Sequence, residues 1–158
     1  MEFVMEADLK NRDVEGIISE SLEGHITNNT GMTIENALKV GIKGHKAGHF
    51  ELAGKVYETI IKLQPDNAYA NYSMGLLKME LETAFQALPY FENAVVADTS
   101  IFVFWASYLT TLIQTDRVDE AQNILGLASK GLTIKEFREL DRVINILLAD
   151  DTSNNSAK

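Results

Sequence analysis

Apolar residues recur at three- and four-residue steps through most of this chain, the spacing that puts them on one face of an α-helix. Val14, Ile17, Ile18, Leu22 and Ile26 predict a helix from about Asp13 to Thr27, with Asp13 as its N-cap and Asn28-Asn29-Thr30-Gly31 as its stop. Phe3, Val4, Met5 and Leu9 mark a shorter apolar stretch before it. Next, Thr33 caps a helix carrying Ile34, Ala37, Leu38, Gly41 and Ile42, which Gly48 ends. A second helix runs from about Phe50 to Leu63, and Gln64-Pro65-Asp66-Asn67 combines its stop with a new start. Tyr69, Tyr72, Met74, Gly75, Leu77 and Met79 belong to the following helix. Thr83 and Gln86 form a capping box for another, in which Pro89 removes one hydrogen bond and predicts a slight kink. Ser100 is the expected cap of a strongly apolar helix with Phe104, Trp105, Tyr108, Leu109 and Leu112. Asp116 and Asp119 are expected to open the next, which holds Val118, Ala121, Ile124, Leu125 and Ala128 and closes at Lys130-Gly131. Thr133 and Glu136 form a last capping box before Phe137, Leu140, Val143, Ile144, Leu147 and Leu148.

The helices fall into windows that repeat every 34 residues from Ile34 to Lys135 without insertion. Ala53, Ala87 and Ala121 share one phase, and Tyr57, Phe91 and Leu125 lie four residues on. Ile60, Ala94 and Ala128 follow, and Pro65, Thr99 and Thr133 close the three windows. Period and pattern resemble the tetratricopeptide repeat (TPR), in which each window is a pair of antiparallel helices. The resemblance implies an all-α fold, a right-handed α-solenoid of three helix pairs spanning 34–67, 68–101 and 102–135. An N-terminal extension, 1–33, with one amphipathic helix would precede them. A helix over 133–149 would cap the open end of the array, and the polar tail 150–158 is expected to be disordered. Small residues at Gly41 and Ala53, and at Gly75 and Ala87, let paired helices approach, Ala87 lying against Gly75. The rings of Tyr57 and Phe91 are then expected to fill the space between successive pairs. Leu109, Glu82 and Asp116 depart from the family pattern, in which glycine is usual.

In that architecture the first helices of the pairs line a concave groove. The implied peptide-binding positions are Leu38, Ile42 and His45 from the first window and Tyr69, Tyr72, Ser73, Leu76 and Met79 from the second. Val103, Ala106, Ser107, Thr110 and Ile113 come from the third. The lining is apolar and aromatic, which suits an apolar peptide segment or helix. Family members that clamp a C-terminal carboxylate do so with Lys, Asn and Arg. The matching positions here, Leu38, Ile42, Ser73, Val103 and Ser107, offer no such donor, so an acidic terminus is not the expected ligand. Pro65-Asp66-Asn67-Ala68 and Phe102-Val103-Phe104-Trp105 resemble N-terminal repeat regions of bacterial multidomain proteins, often linked to a glycosyl- or methyltransferase. A recruiting arm of such an enzyme is therefore one alternative, and a self-associating structural module another, with a homodimer formed through the groove or the N-terminal helix.

Composition narrows these readings. The 158 residues carry 46% hydrophobic and 23% charged residues, the balance of a globular chain. A formal charge of −9 argues against nucleic acid or an anionic membrane as partner, and a protein or peptide partner is expected instead. There are no cysteines, which removes disulfides and thiolate metal sites. Acids at the start of the chain do not suit a signal peptide, and a cytoplasmic location is the default expectation. His45 and His49 are four apart, but Gly48 breaks the helix between them, so no metal is expected. No cofactor loop and no nucleophile–base set stands out, so no catalytic residue is assigned and the chain is not expected to be an enzyme. Asn28-Asn29-Thr30 and Asn71-Tyr72-Ser73 fit the glycosylation sequon but carry no weight without a secretion signal.

Overall fold

In a computed structural model, the structure describes residues 32–81 and 83–155. Among them are seven helices and no strand, which makes the chain all-α. The helices are α1 (Ile34–Lys46), α2 (Phe50–Leu63), α3 (Ala68–Leu81), α4 (Ala84–Ala97), α5 (Phe102–Gln114), α6 (Val118–Ala128) and α7 (Ile134–Asn155). The chain divides into two compact units, Met1–Pro65 and Asp66–Lys158. The expected helix at about Asp13 to Thr27, with the rest of the N-terminal extension up to Gly31, lies outside the described residues.

In the first unit, the Thr33 hydroxyl accepts a hydrogen bond from the Asn36 N–H at 3.1 Å and so starts α1. Gly48 sits at φ +81°, and the His49 N–H donates back to the Gly44 carbonyl at 2.9 Å, which closes α1 as a helix-terminating loop. Ala37, Gly41 and Gly44 form the buried stripe of α1, and Ala53, Val56, Tyr57 and Ile60 that of α2. A Cβ on Gly41 would lie 2.7 Å from the Tyr57 ring and 2.9 Å from Val56, so only glycine admits this approach.

The second unit repeats the device. The Asn67 side chain accepts from the Ala70 N–H at 2.9 Å and caps α3. A Cβ on Gly75 would lie 2.6 Å from the Phe91 ring. Phe91 thus packs against Gly75 within its own pair and belongs to the same apolar cluster as Phe104 and Leu109 of the next. At the corresponding register of the third window stand Leu109 and Leu125, both buried in one apolar cluster. Two medium side chains there replace the glycine and the ring, so the departure at Leu109 is compensated by volume. Helix α5 packs against α4, α6 and α7. The Trp105 indole N–H donates to the Thr99 carbonyl at 2.8 Å, and Gly131 crowds that same carbonyl so closely that any Cβ would collide with it. Gly131 is therefore required for close approach, and α6 has already ended, with Ser129 as its C-cap.

Other expectations change at helix ends. Ser100 does not cap α5; its N–H and hydroxyl both bond the Asp98 carboxylate, holding that group below the usual carboxylate range. Ile101 is the N-cap, without a side-chain bond. Asp116 does not open α6, for which Arg117 is the N-cap. It instead ends α5 at φ +60°, while the Arg117 N–H donates to the Leu112 carbonyl at 2.8 Å. This is the loop formed by Gly48 and His49, built with an aspartate that tolerates the left-handed region. The Thr83 hydroxyl accepts from the Gln86 N–H at 3.4 Å, and α4 runs unbroken through Pro89. Thr133 and Glu136 bond reciprocally, Thr133 N–H to the Glu136 carboxylate at 3.0 Å and Glu136 N–H to the Thr133 hydroxyl at 3.3 Å. The Thr133 hydroxyl, which donates to the same carboxylate, and then the Thr133 N–H hold the Glu136 carboxyl below its usual range. Helix α7 then extends to Asn155, beyond the expected end near Leu148, so Asp150 to Asn155 are helical rather than tail. Leu140, Ile144 and Leu148 are its buried stripe.

Candidate functional site

Helices α3 and α5 meet through side chains that alternate rings and hydroxyls. Tyr69 and Tyr72, one turn apart on α3, both pack against Phe104 of α5, with ring centroids 5.5 and 4.9 Å apart. Tyr72 also leans on Phe91, 5.8 Å away. Further along, the Ser107 hydroxyl donates to the Tyr72 hydroxyl at 3.4 Å, and the Thr111 hydroxyl donates to the Ser107 carbonyl at 2.7 Å, with the Met79 sulfur 4.0 Å away. The seam therefore holds Tyr72, Met79, Ser107 and Thr111 inward, while the outer rim stays open. Tyr69 is 52% exposed, Leu76 39% and Val103 43%.

Most expected groove residues of the second unit gather here. Tyr72, Met79, Ala106, Ser107, Thr110 and Ile113 are half-buried beside the three exposed apolar residues. Ser73 is the exception: at 6% exposure it is part of the interior and presents almost nothing to a ligand. In the first unit, Leu38, Ile42 and His45 lie along α1 and are half-buried. The His45 ring stands edge-on to Phe50 and Tyr57, with its Nδ1 3.5 Å from the Tyr57 hydroxyl. It serves the packing of α1 on α2. His49, on the far side of the Gly48 turn, is the exposed N-cap residue of α2.

Two residues of the seam, and Asn71 of α3, lie outside the expected set. Phe104 is fully buried yet supplies the ring on which both tyrosines rest. Thr111, at 2% exposure, bridges Ser107 and Met79. Asn71 is fully buried in an otherwise apolar stretch; its amide donates to the Asn67 carbonyl at 3.0 Å, and its carbonyl accepts from Asn93 at 3.5 Å. A signal existed for Asn71: it occupies the phase of Ala37 and Trp105, so a polar side chain there had to find partners inside the pair.

Helix α5 contributes no charged residue over its 13 positions. The nearby titrating anomaly points inward instead. Burial, reinforced by the Glu92 and Glu120 carboxylates and opposed by Arg117, pushes the Tyr108 phenol up to about 12. Tyr108 is thus a neutral core residue at ordinary pH. Among the described residues, no group of three His, Cys, Asp or Glu side chains is placed to hold a metal ion, and no helix is long and apolar enough to cross a membrane.

No family model matches the chain, and no curated protein matches it significantly. Solved structures do. A structure titled MamA MSR-1 C2 superposes with a TM-score of 0.58 at 21% identity, covering 90% of this chain and 82% of the other. A mutant of MamA gives a TM-score of 0.54 at 14% identity, covering 82% of this chain and 98% of the other. MamA is a TPR-containing protein. The fold is TPR-like. Such a fold is an α-solenoid of stacked helix pairs.

Proposed function

We propose that this chain is a protein-interaction scaffold without chemistry of its own, and that the α3–α5 face receives an apolar segment, helical or extended. The windows 34–67, 68–101 and 102–135 are its repeats, and the helix opened at Thr133 closes the last of them. The observation that carries the reading is the open rim of Tyr69, Leu76 and Val103 above a seam with no charge on α5. Covering a few hundred Å² of such surface is worth several kcal/mol at about 25 cal/mol per Å². A charged ligand would gain no ionic partner from α5 and would lose its hydration. Specificity then falls to the hydroxyls of Ser107 and Thr110, which can bond a peptide backbone. The fold supports a binding module, and the neutral, ring-lined rim supports an apolar occupant.

Peptides selected from a random library for binding to the full chain test the proposal. The selected sequences should be apolar at three- and four-residue steps. Leu76→Asp and Val103→Asp should each weaken their binding at least about tenfold, the loss of one buried apolar contact, with the melting temperature preserved. Selection of acidic peptides, or binding indifferent to both substitutions, would remove the α3–α5 face as the site.

A further inference from the structure

The charge of the chain is unevenly distributed. Residues 1–31 hold seven acids against two bases, net −5, and residues 64–158 hold thirteen against seven, net −6. Between them, helices α1 and α2 hold five lysines against three glutamates, net +2, so this short piece opposes the sign of the whole. The excess is concentrated on α1. Lys39, Lys43 and Lys46 follow each other at four- and three-residue steps and form one exposed stripe. Immediately beside it runs the parallel stripe of Leu38, Ile42 and His45, half-buried. Lys39 is paired with Glu35 at 2.7 Å, a pair whose two side chains are 67% and 76% exposed and therefore easily exchanged for another acid. Helix α1 thus presents a basic amphipathic face, whose natural complement is an acidic amphipathic helix.

The start of the chain contains such a sequence. From Asp13 to Thr27, Val14, Ile18 and Leu22 share a face at four-residue steps, and Asp13, Glu15, Glu20 and Glu23 are its only charges. These residues lie outside the described ones. We propose that the α1 face formed by the lysine stripe and by Leu38 and Ile42 is the docking site of this acidic segment of the same chain. The tether permits it. Six residues, Asn28 to Thr33, separate the segment from α1, and at about 3.3–3.6 Å each they reach on the order of 20 Å. Asn28-Asn29-Thr30-Gly31 is turn chemistry suited to a reversal. A reversal there brings the start of the segment toward the end of α1. This stands apart from the function proposed above, which concerns α3 and α5.

The absence of native cysteine makes the test direct. Asn11→Cys and Ala47→Cys, placed together in the full chain, mark the start of the segment and the end of α1. Oxidation in dilute solution should give a disulfide within one chain, at a rate independent of protein concentration and reduced by salt. Converting Lys39, Lys43 and Lys46 to Glu should slow it at least about tenfold, and converting Glu15, Glu20 and Glu23 to Lys in that background should restore it. Converting the three lysines to Arg should leave the rate unchanged, and circular dichroism should show each variant folded. Slow bridging that ignores charge reversal would overturn the proposal. So would bridging only between two chains, which would make a second copy the occupant.

Discussion

Gly75 and Phe91 offer the sharpest test of how these helix pairs are built. Adding one methyl group, as Gly75→Ala, places a Cβ 2.6 and 2.7 Å from two carbons of the Phe91 ring and 3.1 Å from a third. The ring is 1% exposed and cannot swing outward, so either the backbones of α3 and α4 separate or the ring leaves its rotamer. Overpacking of this kind costs about 1–3 kcal/mol. Against it stands the helix preference for alanine over glycine, about 1 kcal/mol. The net expectation is a loss of about 1 kcal/mol. Gly126→Ala is the internal control, because a Cβ there meets nothing within 4 Å, so only the propensity gain remains and the variant should be more stable by about 0.5–1 kcal/mol. Urea unfolding of both variants reads the opposite signs as opposite shifts of the midpoint. The double variant Gly75→Ala with Phe91→Leu imitates the pairing of Leu109 with Leu125. It should be less damaged than the sum of the single changes, a favourable coupling of about 0.5 kcal/mol or more. If Gly75→Ala stabilises as Gly126→Ala does, the glycine-to-ring packing is wrong.

Further outcomes follow from individual residues. Ala87→Leu, at a fully buried position, should cost about 1–3 kcal/mol in a thermal melt, and Leu38→Ala on half-buried α1 should cost less. Asp116→Gly should raise stability by a few tenths to about 1 kcal/mol, because residue 116 sits at φ +60° and glycine adopts that conformation without strain. Folding raises the Tyr108 pKa to about 12 from its ordinary 10, so the folded state holds a proton that the unfolded state gives up first. The associated stability is complete below pH 10 and falls between pH 10 and 12, and Tyr108→Phe should flatten that stretch of a stability–pH curve. Truncation after Gly131 removes α7 with Leu140, Ile144 and Leu148, and should produce aggregation or a marked fall in melting temperature.

Much of this fold is written in its periodicity. The 34-residue spacing and the phase of Ala53, Ala87 and Ala121 are local facts, and each alanine is fully buried. Ser100 and Asp116 were harder to read, because a polar residue before a helix can cap it, turn the chain, or finish the previous helix. Which occurs depends on backbone dihedrals that three bonded neighbours do not determine. The interior position of Ser73 was likewise hidden. It shares a helical face with Tyr69 and Leu76, but depth at that face is set by the neighbouring helices. The seam of Tyr72, Phe104, Ser107 and Thr111 needed the structure because it joins residues more than thirty positions apart.

A chemical-shift footprint would show whether the rim of Tyr69, Leu76 and Val103 is a binding surface. Methyl and aromatic NMR resonances of the full chain would be followed while an uncharged apolar helical peptide is added, and again with the same peptide ending in acidic residues. Saturable shifts are expected at Tyr69, Leu76, Val103 and Ile113, weaker for the acidic peptide. Shifts confined to other helices, a preference for the acidic peptide, or no saturable shift would contradict it.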